Sequence, residues 1–125
     1  MGKVVRVIDG DTVEMDSGER VRYIGIDTPE VSPPECYAEE ATQRNVELVE
    51  GVEVQMFTDG EDRDRYGRLL RYVYANGVFV NGQLVWEGYA EAESFGSEPR
   101  LYQTLVQLEL SAIDSERGIW GDCGS

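Results

Sequence analysis

The stretch Arg22-Tyr23-Ile24-Gly25-Ile26-Asp27-Thr28-Pro29-Glu30 decides how the rest of the chain is read. Arg22, Ile24 and Ile26 alternate with Tyr23 and Gly25, the period of a pleated strand. Pro29 has no backbone N–H to donate and stops the ladder there. Asp27 and Glu30 are left at a strand end, where the backbone is irregular and a ligand can approach. One guanidinium and two carboxylates thus reach a single place. Asp9-Gly10-Asp11-Thr12 upstream and Asp64-Arg65-Tyr66-Gly67-Arg68 downstream point to the same site. Together the three pieces read as a metal-assisted phosphodiesterase site.

Outward from that stretch, the N-terminal side is a run of short strands. Val4 to Ile8 is β-rich, Asp9-Gly10-Asp11 is a turn signal, and Thr12 to Met15 continues as a second strand. Asp16-Ser17-Gly18-Glu19 turns the chain into the central strand. On the C-terminal side, Ser32-Pro33-Pro34-Glu35 breaks the strand pattern and suits a helix cap. From there to about Glu50 the spacing of Tyr37, Ala38, Ala41, Leu48 and Val49 is helical, and Gly51 ends it. Val52, Val54 and Met56 alternate as a fourth strand. Asp59 to Arg65 is a charged loop, and Leu69 to Tyr74 is a fifth strand, turned back at Asn76-Gly77 into Val78-Phe79-Val80. Asn81 suits the N-cap of a second helix that carries Leu84 and Val85 and closes at Gly88. Glu91 to Ser97 reads as a loop. Pro99 suits the first turn of a third helix, with Leu101, Leu105, Leu108 and Ala112 on one face. Trp120, after a Gly118 stop, is expected to pack back on the body. The order β-β-β-α-β-β-α-α predicts an α+β fold, a five-stranded OB-type β-barrel with three helices, as one domain over residues 1–125.

Composition narrows the chemistry. The 125 residues hold 25 acidic and 11 basic side chains, a formal charge of −14, and Lys3 is the one lysine. A polyanionic ligand is therefore repelled at long range, and its recognition has to rest on a few local arginines and a metal. An acidic surface of this kind also fits a protein that works in high salt, where repulsion is screened; activity would then hold from low to molar salt. There is no histidine. That absence removes Ser-His-Asp and Cys-His catalysis and most zinc enzymes, leaving carboxylates, tyrosines and Lys3 for acid–base work. The longest apolar runs are only a few residues, so neither a transmembrane span nor a signal peptide is read. The strand-like run begins almost at once, at Val4, so either the protein is made without a leader or a leader lies outside this sequence. Cys36 and Cys123 form no metal-binding spacing. They are either two free thiols or a disulfide tying the C-terminal tail to the start of the first helix, and the second option implies an oxidising compartment.

Asp11 and Asp27 are hard oxygen donors of the type calcium and magnesium prefer, and a carbonyl near Thr28 adds another. Each taken alone is as well explained as an ordinary turn residue. Their convergence with two arginines argues for a site. Glu30, three residues beyond Asp27 across a proline turn, is placed to act as general base or to orient a water. Arg22 sits mid-strand, where an unpaired charge is costly; it either pairs with a neighbouring carboxylate or binds a phosphate through its planar fork. Arg68 can bind the same phosphate from the other side. Two guanidiniums would then stabilise the charge that builds on the non-bridging oxygens. Tyr66 beside Arg65 offers a face for a base or sugar, although core packing is the commoner fate of a tyrosine.

These residues closely resemble the staphylococcal nuclease family. The pieces are Val7-Ile8-Asp9-Gly10-Asp11-Thr12-Val13, Arg22 with Ile26-Asp27-Thr28-Pro29-Glu30, and Asp64-Arg65-Tyr66-Gly67-Arg68-Leu69-Leu70. Val80-Asn81, Gly88-Tyr89-Ala90 and Gly118-Ile119-Trp120 follow in order. The resemblance implies an OB-fold barrel with three helices and a calcium-dependent nuclease of DNA and RNA, single- or double-stranded. Water attacks phosphorus in line, the 5′-oxygen leaves and 3′-phosphate ends remain. It implies that Asp11, Asp27 and the carbonyl of Thr28 hold Ca2+, that Glu30 handles the attacking water, and that Arg22 and Arg68 bind the scissile phosphate. Arg65 and Tyr66, with Leu70 nearby, would line the nucleotide pocket. It also favours a Cys36–Cys123 disulfide, as in secreted branches of the family. A monomer with no membrane association is expected, secreted or in the cell envelope, with the cytoplasm as the alternative.

Two departures from the best-known member stand out: the loop after Glu30 is short and has no lysine, and Glu91–Ser97 offers only Phe95 in place of two tyrosines. Both bear on substrate affinity and base preference. The rival reading is a non-catalytic OB module that binds nucleic acid or protein; such a module has no need of Asp11, Asp27, Glu30, Arg22 and Arg68 together.

Overall fold

The computed structural model describes residues 2–94 and 98–123. Three N-terminal strands form a meander: β1 (Gly2–Asp9), β2 (Thr12–Met15) and β3 (Arg20–Tyr23), each antiparallel to the next. A two-residue β4 (Ile26–Asp27) precedes helix α1 (Ala38–Val49). Then come β5 (Glu53–Phe57), β6 (Leu69–Ala75) and β7 (Val78–Phe79). The chain continues through α2 (Val80–Trp86), β8 (Glu91–Ala92), α3 (Tyr102–Asp114) and a single turn, α4 (Ile119–Asp122).

The sheet runs β3-β2-β1-β5-β6-β7, and an additional parallel pairing of β3 with β6 closes it. Five strands, β1, β2, β3, β5 and β6, therefore make the barrel predicted from the sequence, with three full helices outside it. Each strand contributes one fully buried valine: Val4, Val13, Val21, Val54 and Val73. Leu84 and Val85 of α2 and Leu105 of α3 complete the core. Burial of such a side chain contributes roughly 1.5–3 kcal/mol. The run Arg22–Ile26, read as one alternating strand, is instead divided by a turn at Ile24–Gly25, and Tyr23, Ile24 and Ile26 are all buried.

The helices depart from the sequence reading at their ends. Helix α1 starts at Ala38, after Tyr37 in the left-handed region (φ 72°), not at the prolines. Val31 and Pro34 are joined in an isolated bridge, so the prolines serve a turn of their own. Tyr37 consequently lies outside the helix, and the buried face is Ala38, Ala41, Asn45 and Val49. Asn81 is not the cap of α2. The helix begins one residue earlier, and Asn81 is fully buried within its first turn. Its Oδ1 accepts from Val73 N–H at 2.9 Å and its Nδ2 donates to the Ile24 carbonyl at 2.9 Å. Those buried backbone groups outcompete the helix end for the amide. Pro99 precedes α3 and heads the turn before it, its carbonyl accepting from Tyr102 N–H at 3.0 Å. Leu105 and Ala112 are buried, with Leu101 and Leu108 half-buried.

Glu91 and Ala92, read as loop, form β8 against β4, with Asp27 opposite Glu91 and Ile26 opposite Ala92. Two-residue strands carry no periodicity for a sequence to display. Phe95 and its neighbours Gly96 and Ser97 lie outside the described residues. Trp120 sits in α4, half-buried. That turn is docked where the backbones of Gly88 and Gly118 touch, with Ile119 N–H donating to the Gly88 carbonyl at 2.8 Å. A Cβ at either glycine would meet the other segment's backbone, so the contact needs both.

Candidate active site

A cleft of about 1100 Å³ opens at the barrel rim, over the ends of β3 and β4. The barrel closure decides what lines it. The β3–β6 register sets Arg22 beside Leu70, and the β3 meander sets Arg22 opposite Thr12, next to the Asp9–Asp11 turn. That turn lies against Thr28: Asp11 Oδ2 accepts from Thr28 N–H at 3.0 Å, and Thr12 Oγ1 bonds Asp11 Oδ1 at 3.0 Å. A Cβ at Gly10 would come within 2.8 Å of the Thr28 side chain, so only glycine permits the approach.

Arg22 is held from several directions. Its Nη1 donates to the carbonyls of Tyr23 and Ile26 at 2.8 and 2.9 Å. Its Nη2 lies 3.4 Å from Asp11 Oδ2 and 3.6 Å from Asp27 Oδ1, so the two carboxylates meet around one guanidinium. The side chain is only 13% exposed, which makes that pairing necessary. Both options left open for Arg22 thus bear on one geometry: it pairs with carboxylates and it borders the cleft.

Arg68 is positioned by Asp64. Asp64 Oδ1 accepts the backbone N–H groups of Tyr66 and Arg68 at 2.9 and 3.0 Å, and Oδ2 accepts Arg68 Nε at 2.7 Å. Burial opposes the charge on Asp64, but these donors overcome it and hold its carboxyl below the usual range. Tyr66 is 68% exposed, with the guanidiniums of Arg65 and Arg68 over its ring at 4.9 and 5.4 Å. Glu30 is exposed at the rim, its backbone N–H donating to Glu35 Oε1 at 2.7 Å.

Asp11, Arg22, Asp27, Thr28, Glu30, Arg65, Tyr66, Arg68 and Leu70 all line the cleft. Every sequence-predicted site residue except the two cysteines is therefore in one concavity. Cys36 and Cys123 lie elsewhere and are joined by a disulfide.

Three contributors went unassigned in the sequence reading. Asp9 also lines the cleft, and burial first, then the charge of Asp11, pushes its carboxyl up to about 7. Glu93 lines it too, diagonal to Asp27 across the β4–β8 pair. Burial and then hydrogen bonding to Glu93 raise Asp27 to about 6. Asn45, buried, joins Tyr23 Oη to the Asp9 carbonyl at 2.7 and 2.9 Å and so braces the turn from behind. Asp64 had a sequence signal in its i,i+4 spacing to Arg68. Glu93 had none, because its neighbourhood depends on β8.

Among the described residues no three Asp, Glu or Cys side chains converge as a finished metal cage. Asp11 and Asp27 both border the cleft around Arg22 and offer only oxygen donors; with no histidine and no free cysteine in the chain, such side chains suit a hard divalent cation over a soft one. Burial first, and then the neighbouring carboxylates, raise Asp9 and Asp27, and added positive charge would oppose both effects.

The staphylococcal nuclease homologue family matches residues 20–122. The chain is 32% identical over 127 residues to a thermonuclease of Staphylococcus hyicus, an alignment covering 96% of this chain and 75% of that one. It is 37% identical over 128 residues to endonuclease YncB of Bacillus subtilis (strain 168), covering 95% of this chain but 61% of that one. It is also 41% identical over 128 residues to an uncharacterized endonuclease of Escherichia coli, covering 97% and 77%. The chain thus spans somewhat under two thirds of the Bacillus relative and three quarters of the others. The family match takes in β3 to the C-terminal turn, with Arg22, Asp27, Glu30 and Arg68, and the alignments to the relatives cover nearly the whole chain; on these this chain belongs to the staphylococcal nuclease homologue family.

Proposed function

We propose that the protein is a calcium-dependent nuclease that hydrolyses DNA and RNA with little sequence preference, leaving 3′-phosphate ends. The observation that carries the reading is the meeting of Arg22, Arg68, Asp11, Asp27 and Glu30 in a single cleft. The family relationship supports it.

In this reading Arg22 and Arg68 bind the non-bridging oxygens of the scissile phosphate, and their charge counts most in the pentacoordinate transition state. Glu30 takes the proton of the attacking water as its oxygen bonds to phosphorus. The bond to the 5′-oxygen breaks, that oxygen is protonated from solvent, and the phosphate stays on the 3′ side. Asp11, Asp27 and the Thr28 carbonyl would hold the calcium ion, which supplies further positive charge to the phosphate when bound. Tyr66, Arg65 and Leu70 form the wall against which a base or sugar rests. The disulfide supports a working place outside the cytoplasm, and a monomer suffices because one chain supplies all of these residues.

The test is digestion of single-stranded DNA with calcium and again with a chelator, reading the product ends. Calcium-dependent cleavage to 3′-phosphate ends is expected. Folded protein that binds DNA but cleaves under neither condition would overturn the enzyme reading in favour of a binding module.

A further inference from the structure

A second concavity, about 420 Å³, lies on the outer face of the barrel. There β5 and β6 set Gln55 opposite Tyr74 and Phe57 opposite Tyr72. Strand parity turns these side chains away from Val54 and Val73, which fill the core. A phenylalanine on such a face has no packing reason to be exposed, yet Phe57 is 52% exposed. Its ring stands edge-on to Tyr74 with centroids 5.5 Å apart, and Tyr74 in turn stacks on Phe79 at 5.0 Å. Phe57 is therefore braced from one side and open to solvent on the other.

Thr58, Arg100 and Leu101 form the far rim. The Arg100 side chain is 75% exposed, but its guanidinium is fixed: Nε lies 3.1 Å from Asp59 Oδ1 and Nη2 donates to the Thr58 carbonyl at 3.1 Å. The same ridge borders the candidate active site on its other side, where Asp59, Gly60 and Pro99 line the cleft. Groove and cleft are neighbours across one ridge that carries a guanidinium.

We propose that this groove is a second subsite for single-stranded nucleic acid, in which a nucleotide beyond the cleft sets its phosphate on Arg100 and stacks its base on Phe57. The inference rests on nucleic acid being the ligand of the adjacent cleft. An exposed aromatic ring beside an arginine is the combination that holds unpaired bases without regard to sequence. The formal charge of −14 strengthens the case: long-range attraction is absent, so affinity has to come from short-range stacking and a few fixed arginines. A base inside a duplex has no free face to offer, so the subsite selects single strands.

The experiment compares wild type, Phe57→Ala and Phe57→Trp on a dinucleotide that fills only the cleft and on a single-stranded decamer that also reaches the groove. Phe57→Ala is expected to raise KM for the decamer about tenfold, leaving its kcat and the dinucleotide constants unchanged. Phe57→Trp should keep the wild-type values. In parallel, quenching of a 2-aminopurine decamer is titrated under chelator, where cleavage is absent; wild type should quench and Phe57→Ala should not. Equal decamer KM and equal quenching in folded wild type and Phe57→Ala would overturn the subsite while leaving the nuclease reading intact. Phe57-dependent quenching by a protein that cleaves nothing would instead retire the nuclease reading and keep the subsite.

Discussion

Glu30 is one of the exposed carboxylates of the cleft, with Glu61 and Glu98, while Asp11 is buried and bonded to Thr28 and Thr12. In the proposed mechanism Glu30 exchanges a proton with water, which a place at the rim allows. Glu30→Gln keeps the shape and removes the proposed base; turnover is expected to fall by about two to three orders of magnitude with an unchanged unfolding midpoint. Turnover near wild type would take Glu30 out of the mechanism. Asp64 acts one step removed. Asp64→Asn can still accept the amides of Tyr66 and Arg68, but its new NH2 would oppose Arg68 Nε. The guanidinium then loses its anchor, and kcat is expected to drop about tenfold or more while the fold persists. An unchanged kcat in steady-state assays would show that Arg68 needs no tether.

Elements carry the next set of consequences. Helix α2 is attached to the barrel through Asn81, whose amide satisfies Val73 N–H and the Ile24 carbonyl in a fully buried setting. Asn81→Leu would leave both backbone groups unpaired, and a loss of about 3 kcal/mol is expected in denaturant unfolding. A loss under half that would mean water reaches the gap. The same helix is joined to α1 by Arg44, whose Nε lies 2.6 Å from Glu87 Oε1. Burial opposes the charge on Glu87, but Arg44 and Gln83 outweigh it and lower its pKa from 4.5. A carboxylate depressed on folding contributes stability that is fully present above its ordinary pKa and lost as pH falls through the folded value. Wild type should therefore exceed Glu87→Gln by about 1 kcal/mol near neutrality, and the gap should close on acidification below about pH 4. A gap that persists in acid would assign it to packing.

At the scale of the whole molecule, the Cys36–Cys123 disulfide spans a sequence separation of 87 and joins the approach to α1 to the C-terminal turn. Tyr37 Oη donates to Asp122 beside it, so the two ends are joined by a side-chain bond as well. In the chain-entropy model a bridge over so long a loop contributes about 4–5 kcal/mol. Cys36→Ser with Cys123→Ser should lower unfolding stability by up to that amount, and the proposed nuclease activity should survive at low temperature, because neither cysteine borders the cleft. Equal stability with and without the bridge would show that the tail is held by the Gly88–Gly118 contact alone.

Much of this protein was legible in its residues. Val4, Val13, Val54 and Val73 fall in runs readable as strands because apolar side chains at alternate positions fill the core, whereas the run Arg22–Ile26 is divided by a turn at Ile24–Gly25 into β3 and β4. Asp9-Gly10-Asp11, the proline after Asp27 and the Asp64-to-Arg68 turn are local devices, set by residues within a few positions of each other, and they could be read in place. The Cys36–Cys123 bond remained an open alternative in the residues themselves, and the tertiary structure joins the pair. What only the tertiary structure decided depends on partners far apart in the chain. Asn81 became a buried brace because β6 and the turn after β3 present unpaired backbone groups to it. Asn45 became the support of the Asp9 turn, and Glu93 reached Asp27 through a two-residue strand with no period of its own. Barrel closure through the β3–β6 pairing is the physical reason: it brings Arg22 alongside Leu70 and the turn of Arg68, and so makes one cleft out of three separate motifs.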